Sequence, residues 1–422
     1  MAPNRYEWSA AMISQIVRAN PYGWVIVAVT FLILGLVLTA RSSLGLMIPQ
    51  WEAEFGWDRT FLSSGGAIML VVIGTLAPVA GLLIDRMGSR IVYVVALIVV
   101  GIAMAATAAM SEAWQFIWIF CVAAGIGFSA ISAPMIATTI ALYFDDHRGI
   151  ATGIATSGAT GGVMLLMPAL AVGVETIGWR ASYVVMGLAC VGLAVLTRIM
   201  IKREGGPHRG RQPISSRLAS NLGTILSGRT FWLLFAGFVI CGFTTVGAIR
   251  VHLLPYAAAC GFPPVESATA FGVLAVFSMM GMIGYGWLAD RYHRPMLLAG
   301  IYFLRAFTFI LLMYAERDIS LLFIFAVLFG IFDFSTFPVV ASIVASHLGL
   351  RTMGLTMGLL FAGHSLGGAA GSFMGGWLFD LFQLYDWMWI ASFAVSLIAA
   401  LFSILIRENR DHGAAAVEPA PA

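Results

Sequence analysis

The sequence has little charge for its length: of its 422 residues, 10% are charged and 60% are hydrophobic. Soluble globular domains carry about 25% charged residues, so this composition excludes a soluble protein. The apolar segments take up nearly the whole chain, which leaves no room for a soluble catalytic domain or a parallel nucleotide-binding sheet. An ATP-driven pump, which needs such a domain, is therefore disfavoured.

Cysteine is also scarce, since Cys121, Cys190, Cys241 and Cys260 are the four in the chain. None forms a C-x-x-C pair, so neither a metal site nor a disulfide framework is indicated. The glycine-rich stretch at 158–162 lacks P-loop spacing, and the apolar segments contain no HExxH motif, paired carboxylates or nucleophile elbow. We therefore predict no cofactor, no metal and no nucleic-acid partner, and we expect that the chain is not an enzyme.

What the sequence does contain is a series of about twelve apolar runs between residues 24 and 406. A helix of roughly 20 apolar residues crosses a hydrocarbon core of about 30 Å. The prediction is an all-α integral membrane protein with twelve transmembrane helices. We divide it into 1–200 (a short interfacial helix and six spans), 201–228 (a basic linker), 229–407 (six spans) and 408–422 (a tail).

Basic residues are distributed unequally between the two sides of the predicted membrane protein. Seventeen of the 23 Lys and Arg residues fall on the side of the termini and the linker, whereas Arg59, Arg180 and Arg317 fall on the other side. Cytoplasmic loops carry the excess of positive charge, so both termini are predicted to be cytoplasmic. Short loops and short tails are typical of a multi-pass protein of a bacterial inner membrane, and we expect it to work as a monomer.

Four charged residues remain inside the apolar spans, namely Arg41, Arg250, Arg305 and the acid Asp333. Such charges are costly in lipid and normally face a partner or a water-filled cavity. Arg41 and Arg250 lie in the outer halves of spans 1 and 7, where a guanidinium can bind a carboxylate through two hydrogen bonds. The alternative is that both extend to the outer membrane surface or bind backbone carbonyls.

Arg305 and Asp333 lie at similar depths in the consecutive spans 9 and 10. This placement predicts a buried ion pair between their side chains. In a second interpretation Asp333 is the group that takes up and releases a proton together with the substrate.

The two halves of the chain repeat each other. The segment Gly81–Arg90 (GLLIDRMGSR) returns 205 positions later as Gly286–Arg294 (GWLADRYHR). The same offset relates three pairs of glycines: Gly153 and Gly358, Gly158 and Gly363, Gly162 and Gly367. A repeat of half the chain is typical of alternating-access transporters, whose substrate lies between the halves near the membrane midplane.

The repeated segment resembles the cytoplasmic motif G-x-x-x-D-[RK]-x-G-x-[RK] of the major facilitator superfamily. It matches at Gly81, Asp85, Arg86, Gly88 and Arg90, and in part at Asp290 and Arg291 of the second half. The resemblance covers the whole chain and implies two pseudo-symmetric six-helix bundles around a cavity that spans 1, 4, 7 and 10 line. It also implies that these residues form a conformational latch, in which carboxylates and arginines pair across neighbouring helix ends; a helix-capping role alone is the alternative.

Four shorter motifs resemble the monocarboxylate and oxalate:formate porter group of that superfamily. They lie at residues 143–168, 178–180 (GWR), 21–24 (PYGW) and 252–262 (HLLPY and GF). The group often carries an Asp and an Arg one turn apart in span 8, but this chain has Ser278 and Met282 there. The carboxylate-binding arginine of the group cannot be carried over to that position.

His364, at mid-depth in span 11, is a candidate to replace the missing pair, because histidine titrates near neutral pH and can donate to a carboxylate. A hydrogen bond between helices is an equally good interpretation. We predict Arg41, Arg250 and His364 as substrate-binding residues of a secondary transporter of a small organic anion, a monocarboxylate, with proton symport. An anion antiporter is an alternative, and a transporter-like ligand sensor is an alternative from a different class.

Overall fold

The computed structural model describes residues 20–57, 59–144, 147–202, 222–315 and 318–408. Within these ranges every regular element is a helix. The interfacial helix predicted before residue 20, most of the linker at 201–228 and most of the tail at 408–422 lie outside the described residues. Those three remain predictions.

The N-terminal half contains six helices, and the last two share one continuous helical stretch. They are α1 (Pro21–Phe55), α2 (Arg59–Met87), α3 (Ser89–Thr107), α4 (Ala113–Ile140), α5 (residues 148–177) and α6 (residues 178–200). The stretch Arg148–Met200 has 53 residues and would be about 80 Å long if straight, far more than one membrane crossing. Gly178, with φ of 82°, breaks it into two spans, because glycine adopts positive φ without steric cost.

The C-terminal half repeats this order. Its helices are α7 (residues 229–259), α8 (Pro264–Arg291), α9 (Arg294–Ala315), α10 (Ile319–His347), α11 (Met353–Phe382) and α12 (Asp386–Ile404). Within the described ranges, ten helical stretches are long and apolar enough to cross a membrane. One of these ten stretches contains two spans, α5 and α6, and the 30-residue α11 is a further span outside the ten. The structure therefore has twelve spans within the described ranges. The predicted all-α membrane fold is confirmed.

The fourth helix of each half is interrupted near its middle. Helix α4 breaks at Ile131 and Ser132, and α10 breaks between Phe332 and Thr336. Pro134 and Pro338 lie in the first turn after each break, where a proline needs no hydrogen-bond partner for its nitrogen. Each break leaves backbone carbonyls and amides without helical partners, and these groups must be satisfied inside the protein.

Apolar side chains cover the outside of the bundle as well as its core. Leu188, Ile199 and Phe373 are 65%, 66% and 74% exposed, whereas large side chains such as Trp51 and Trp389 are fully buried. An apolar exterior suits lipid, in which exposed leucine and phenylalanine side chains are favourable.

The repeated glycines lie where helices touch. At Gly162 an added Cβ would overlap Gly35 of α1, and at Gly367 it would overlap Val239 of α7, so the matched glycines make the same contact in each half. Four other glycines bring the two halves together at the end of the bundle that carries Asp85 and Asp290, which we call the basic end. There, Gly81 faces Gly354 and Gly149 faces Gly286 backbone to backbone.

Candidate functional site

A cavity of about 750 Å³ lies between the two halves. Helices α1, α2, α4 and α5 line it from one side, and α7, α8, α10 and α11 line it from the other. The halves touch at the basic end, and the cavity lies beyond that contact, toward the opposite end of the helices. The cavity is lined by all three predicted substrate-binding residues, Arg41, Arg250 and His364.

Arg41 is a cation without a counterion. It lies 20 positions after Pro21, which is about 30 Å along α1 from the basic end. Among the described residues no hydrogen bond or ion pair involves its side chain, and its electrostatic neighbour is the like-charged Arg250. Because no acidic side chain among the described residues pairs with this guanidinium, it can bind an anionic ligand in the apolar cavity.

Arg250 has a counterion, and that counterion is Asp333. Its Nη2 donates to Asp333 Oδ2 at 3.0 Å, and its guanidinium lies 4.5 Å from the ring centroid of Phe334. The Arg250 side chain is 32% exposed, whereas the Asp333 side chain is 1% exposed. The arginine therefore forms the accessible face of a pair whose acid lies behind it.

The predicted ion pair between the Arg305 and Asp333 side chains is wrong. Arg305 is fully buried, but its Nη2 donates to the backbone carbonyls of Phe332 and Asp333, at 2.6 Å in the second case. These carbonyls are released by the break in α10, and a cation is favourable at a helix C-terminus. Because the break rotates the Asp333 side chain away from α9 and toward α7, the acid pairs with Arg250 instead.

Ser278 completes the surroundings of the acid, and sequence reasoning did not identify its role. Its hydroxyl donates to Asp333 Oδ2 at 3.4 Å. Ser278 and Met282 hold the positions at which the resembled group has its acid and arginine, and Met282 lines the cavity. The chain therefore brings an acid to the Ser278 position of α8, but the acid comes from α10 and its arginine partner from α7.

His364 is 3% exposed, and its Nε2 has no hydrogen-bond partner among the described residues. Its ring stacks on Phe361 at 5.7 Å between centroids and also contacts Phe337 at 5.7 Å. The thiol of Cys241 lies beside it and also accepts from Arg305 Nη1 at 3.3 Å. A buried imidazole nitrogen without a partner, at the wall of a cavity, can bind a polar atom of a ligand.

The residues predicted to form a latch lie at the contact between the halves. The Asp85 carboxylate accepts hydrogen bonds from Gly354 and Leu355 N, both at 2.8 Å, at the start of α11. The Asp290 carboxylate accepts from Gly149 and Ile150 N, at 2.6 and 2.9 Å, at the start of α5. Each half thus caps a helix of the other half, since carboxylates are favourable at helix N-termini.

The other residues of the predicted latch do not share these contacts. Arg86 is exposed at the end of α2, and Arg291 lies over the Trp287 ring at 4.3 Å. Arg90 keeps its Nε buried without a partner among the described residues. Gly88, with φ of 86°, forms the turn between α2 and α3, a conformation that favours glycine.

The Gly178-Trp179-Arg180 motif has a structural role at the opposite end of the bundle, which the sequence did not reveal. Trp179 Nε1 donates to Glu54 Oε2 at 2.5 Å, and Arg180 forms an ion pair with the same carboxylate. Partial burial alone would raise the pKa of Glu54, but the hydrogen bonds from Arg180 and Trp179 outweigh it and lower the pKa below its ordinary value. The motif ties α1 to the turn between α5 and α6.

Comparison with known proteins identifies the family. The model of the Major Facilitator Superfamily matches residues 30–304 and 280–422. An uncharacterized MFS-type transporter of Bacillus subtilis, YcxA, is 25% identical over 373 residues, which are 86% of this chain and 90% of that protein. Human monocarboxylate transporter 11 is 28% identical over 278 residues (64% of this chain, 57% of that protein), and rat monocarboxylate transporter 12 is 22% identical over 440 residues (93% and 87%).

Solved structures agree on the fold. The proton:xylose symporter XylE superposes with a TM-score of 0.72 at 15% identity, covering 92% of this chain and 96% of that one. The human organic anion transporter MFSD10 superposes with a TM-score of 0.68 at 16% identity, covering 90% and 99%. The chain belongs to the major facilitator superfamily, and it is a membrane transporter and not an enzyme.

Proposed function

We propose that this protein carries a small organic anion, a monocarboxylate, across the membrane by alternating access with proton symport. The observation that carries the proposal is the charge of the cavity. Arg41 lies in its wall with no partner among the described residues, while the other lining arginine, Arg250, is already paired with an acid. A site with one uncompensated positive charge selects one negative charge.

Arg41 is the primary anchor for the carboxylate in this proposal. A guanidinium offers two parallel donors to the two carboxylate oxygens, which a lysine cannot do. His364 provides a second contact through its free Nε2, from the opposite half of the molecule. A substrate held by α1 of one half and α11 of the other draws the halves together, and this closure is the step that alternating access requires.

The Arg250 and Asp333 pair provides the coupling to protons. In the empty site Arg41, Arg250 and Asp333 carry a net charge of +1, and a bound carboxylate brings this to zero. When Asp333 takes up a proton, the loaded site returns to +1, so the empty and loaded forms cross the membrane with the same charge.

Asp85 and Asp290 form the latch of the proposed cycle. With both carboxylates on helix N-termini of the opposite half, the basic end is closed, and in the proposed orientation this is the cytoplasmic end of an outward-facing transporter. Opening the basic end withdraws both carboxylates from these amides, and Arg86, Arg90 and Arg291 are then at hand as alternative partners. Both termini are cytoplasmic in this orientation, in a bacterial inner membrane, and one chain suffices for the cycle.

Uptake by proteoliposomes tests the proposal. The purified chain is reconstituted and offered a panel of labelled carboxylates with and without an imposed proton gradient. Saturable accumulation driven by the gradient alone supports symport. Accumulation that requires an anion inside the vesicles indicates an antiporter, and saturable binding without any uptake indicates a ligand sensor.

A further inference from the structure

The lining of the cavity is strongly apolar for a site that binds an anion. Apart from Arg41, Arg250 and His364, its polar side chains are hydroxyls. They are Ser42, Ser132, Thr160 and Ser365. Two of these hydroxyls are engaged within their own helix, since Ser365 donates to Phe361 O and Thr160 donates to Ser157 O. Ser42 and Ser132 are thus the hydroxyls left to a ligand, and a polar substrate body such as a sugar would lose more hydrogen bonds to water here than it gains.

The C-terminal half contributes a wall of rings. Phe334, Phe337, Phe361 and His364 all line the cavity, and we call them the aromatic wall. The members contact one another: Phe334 lies 5.2 Å from Phe337, and His364 bridges Phe337 and Phe361. Aromatic rings prefer stacked or edge-to-face contacts with another flat apolar group.

The N-terminal half contributes one apolar helix face. Beyond Ala159 and Thr160, the lining positions on α5 are 163, 164, 167, 168 and 171, a spacing that places Val163, Met164, Met167, Pro168 and Ala171 on one side of the helix. We call them the methionine face. Methionine side chains are flexible and polarizable, and they adapt to flat or branched apolar groups.

The volume of the cavity also exceeds what a short carboxylate needs. Pockets of about 300–1,000 Å³ bury ligands of the size of a drug molecule, and this cavity of about 750 Å³ falls within that range. A two- or three-carbon acid would fill a small part of it and leave the aromatic wall and the methionine face in contact with water. Affinity gained by displacing that water requires a larger apolar body.

Building on the proposed function, we infer that the substrate is a singly charged carboxylate with a bulky apolar body, aromatic or branched, and that dicarboxylates are excluded. The carboxylate lies on Arg41, and the body lies between the aromatic wall and the methionine face. The limit to one charge applies to the empty site that receives the anion, in which Asp333 pairs with Arg250 and Arg41 is the uncompensated cation of the lining.

Two matched pairs of probes test this inference by equilibrium binding to the purified full chain. 3-Phenylpropionate and propionate share a head group and differ in the body, and we expect the first to bind at least about 100-fold more tightly. Hexanoate and adipate have equal length and differ by one carboxylate, and we expect adipate to bind at least about 30-fold more weakly.

A substitution of similar size in the methionine face makes the test specific to the site. Met167→Gln is expected to weaken 3-phenylpropionate about tenfold and propionate less than twofold, because it removes only an apolar contact. Met296→Gln is the control, since Met296 is 55% exposed at the start of α9 and does not line the cavity.

The possible failures are distinguishable. Equal affinity for 3-phenylpropionate and propionate overturns the apolar-body inference and leaves the anion transporter intact. Equal affinity for hexanoate and adipate overturns the limit to one charge. If none of the four acids binds, at any pH from 5 to 8, the proposed function itself fails.

Discussion

The two halves of this transporter share a backbone plan but differ in charge. Both have an interrupted fourth helix, matched glycines and a carboxylate that caps a helix of the other half. The C-terminal half places Arg250, Arg305 and Asp333 around its break, whereas the N-terminal half contributes Arg41 alone to the charged lining of the cavity. In the N-terminal half a neutral residue contacts α4 in the first turn after the break, since the Tyr93 hydroxyl of α3 donates to the carbonyl of Met135 at 2.8 Å.

In the proposed cycle, the repeated elements serve the movement of the halves, and the unrepeated charges bind the substrate and the proton. Rocking of two halves needs symmetric contacts, and the glycines and latch carboxylates provide them in both copies. The proposed binding of one anion and one proton needs an asymmetric site, and charges in one half with a single arginine opposite would provide it. Each prediction below changes one side of this comparison.

The largest effect is expected from Asp333→Asn, which keeps the size of the side chain but cannot release a proton. Accumulation driven by a proton gradient should fall more than 100-fold, while exchange of labelled for unlabelled anion persists. Proteoliposomes under gradient and exchange conditions measure both. Loss of both activities together, with normal folding, would argue that Asp333 only holds Arg250 in place.

Arg305→Met should be the most destabilising substitution at a helix break. It leaves the carbonyls of Phe332 and Asp333 without donors, at about 1–3 kcal/mol for each buried group. The matched substitution in the other half, Tyr93→Phe, removes one hydroxyl and should cost only about 1 kcal/mol. Thermal unfolding in detergent compares the two, and equal losses would contradict the distinction between a charged and a neutral break.

The latch glycines should behave symmetrically, unlike the charges. Gly149→Ala and Gly354→Ala each place a methyl group against backbone of the other half, so both should open the basic end to a similar extent. Spin labels at Met87 and Tyr292 report the separation of the halves in a cysteine-free background. Gly45→Ala is the control, because no atom lies within 4 Å of its added Cβ. An effect of only one latch substitution would show that the two contacts are not equivalent.

The smallest effect is expected at the opposite end of the N-terminal half. Because the pKa of Glu54 is lowered in the folded state, its stabilising contribution is present above its ordinary pKa and is lost as pH falls through the lowered value. The pair with Arg180 is partly exposed, so Glu54→Gln should cost less than about 1 kcal/mol at neutral pH. The difference in melting temperature between the two proteins should vanish in acid; a difference that persists there would contradict this assignment.

Much of the fold could be predicted from the sequence because lipid imposes strict rules. Apolar length fixes the spans and the offset of 205 residues fixes the repeat. The location of Arg41, Arg250 and His364 in one cavity also followed, since depth and helix number determine it. The partner of Asp333 did not follow, because depth along a helix says nothing of the direction in which a side chain points.

That direction depends on the break in α10, and the break has no clear sequence signal. The interrupting residues, Asp333, Phe334 and Ser335, include neither proline nor glycine, and Pro338 comes only after the second part of the helix has begun. At the break, the free backbone carbonyls accept hydrogen bonds from Arg305, and the Asp333 carboxylate pairs with Arg250. Ser278 was then identified only as a departure from a motif, although it contacts the displaced acid.

Binding of a monocarboxylate to Arg41→Met tests the account most directly. The affinity of the purified protein for 3-phenylpropionate is measured beside that of the unchanged chain and of Arg41→Lys, with thermal unfolding as the check on folding. The account predicts a loss of at least about 100-fold in Arg41→Met and partial recovery in Arg41→Lys, which restores the charge but not the paired donors. Unchanged affinity in folded Arg41→Met would show that the anion binds elsewhere. The charge of Arg41 could not then explain the selection of singly charged anions.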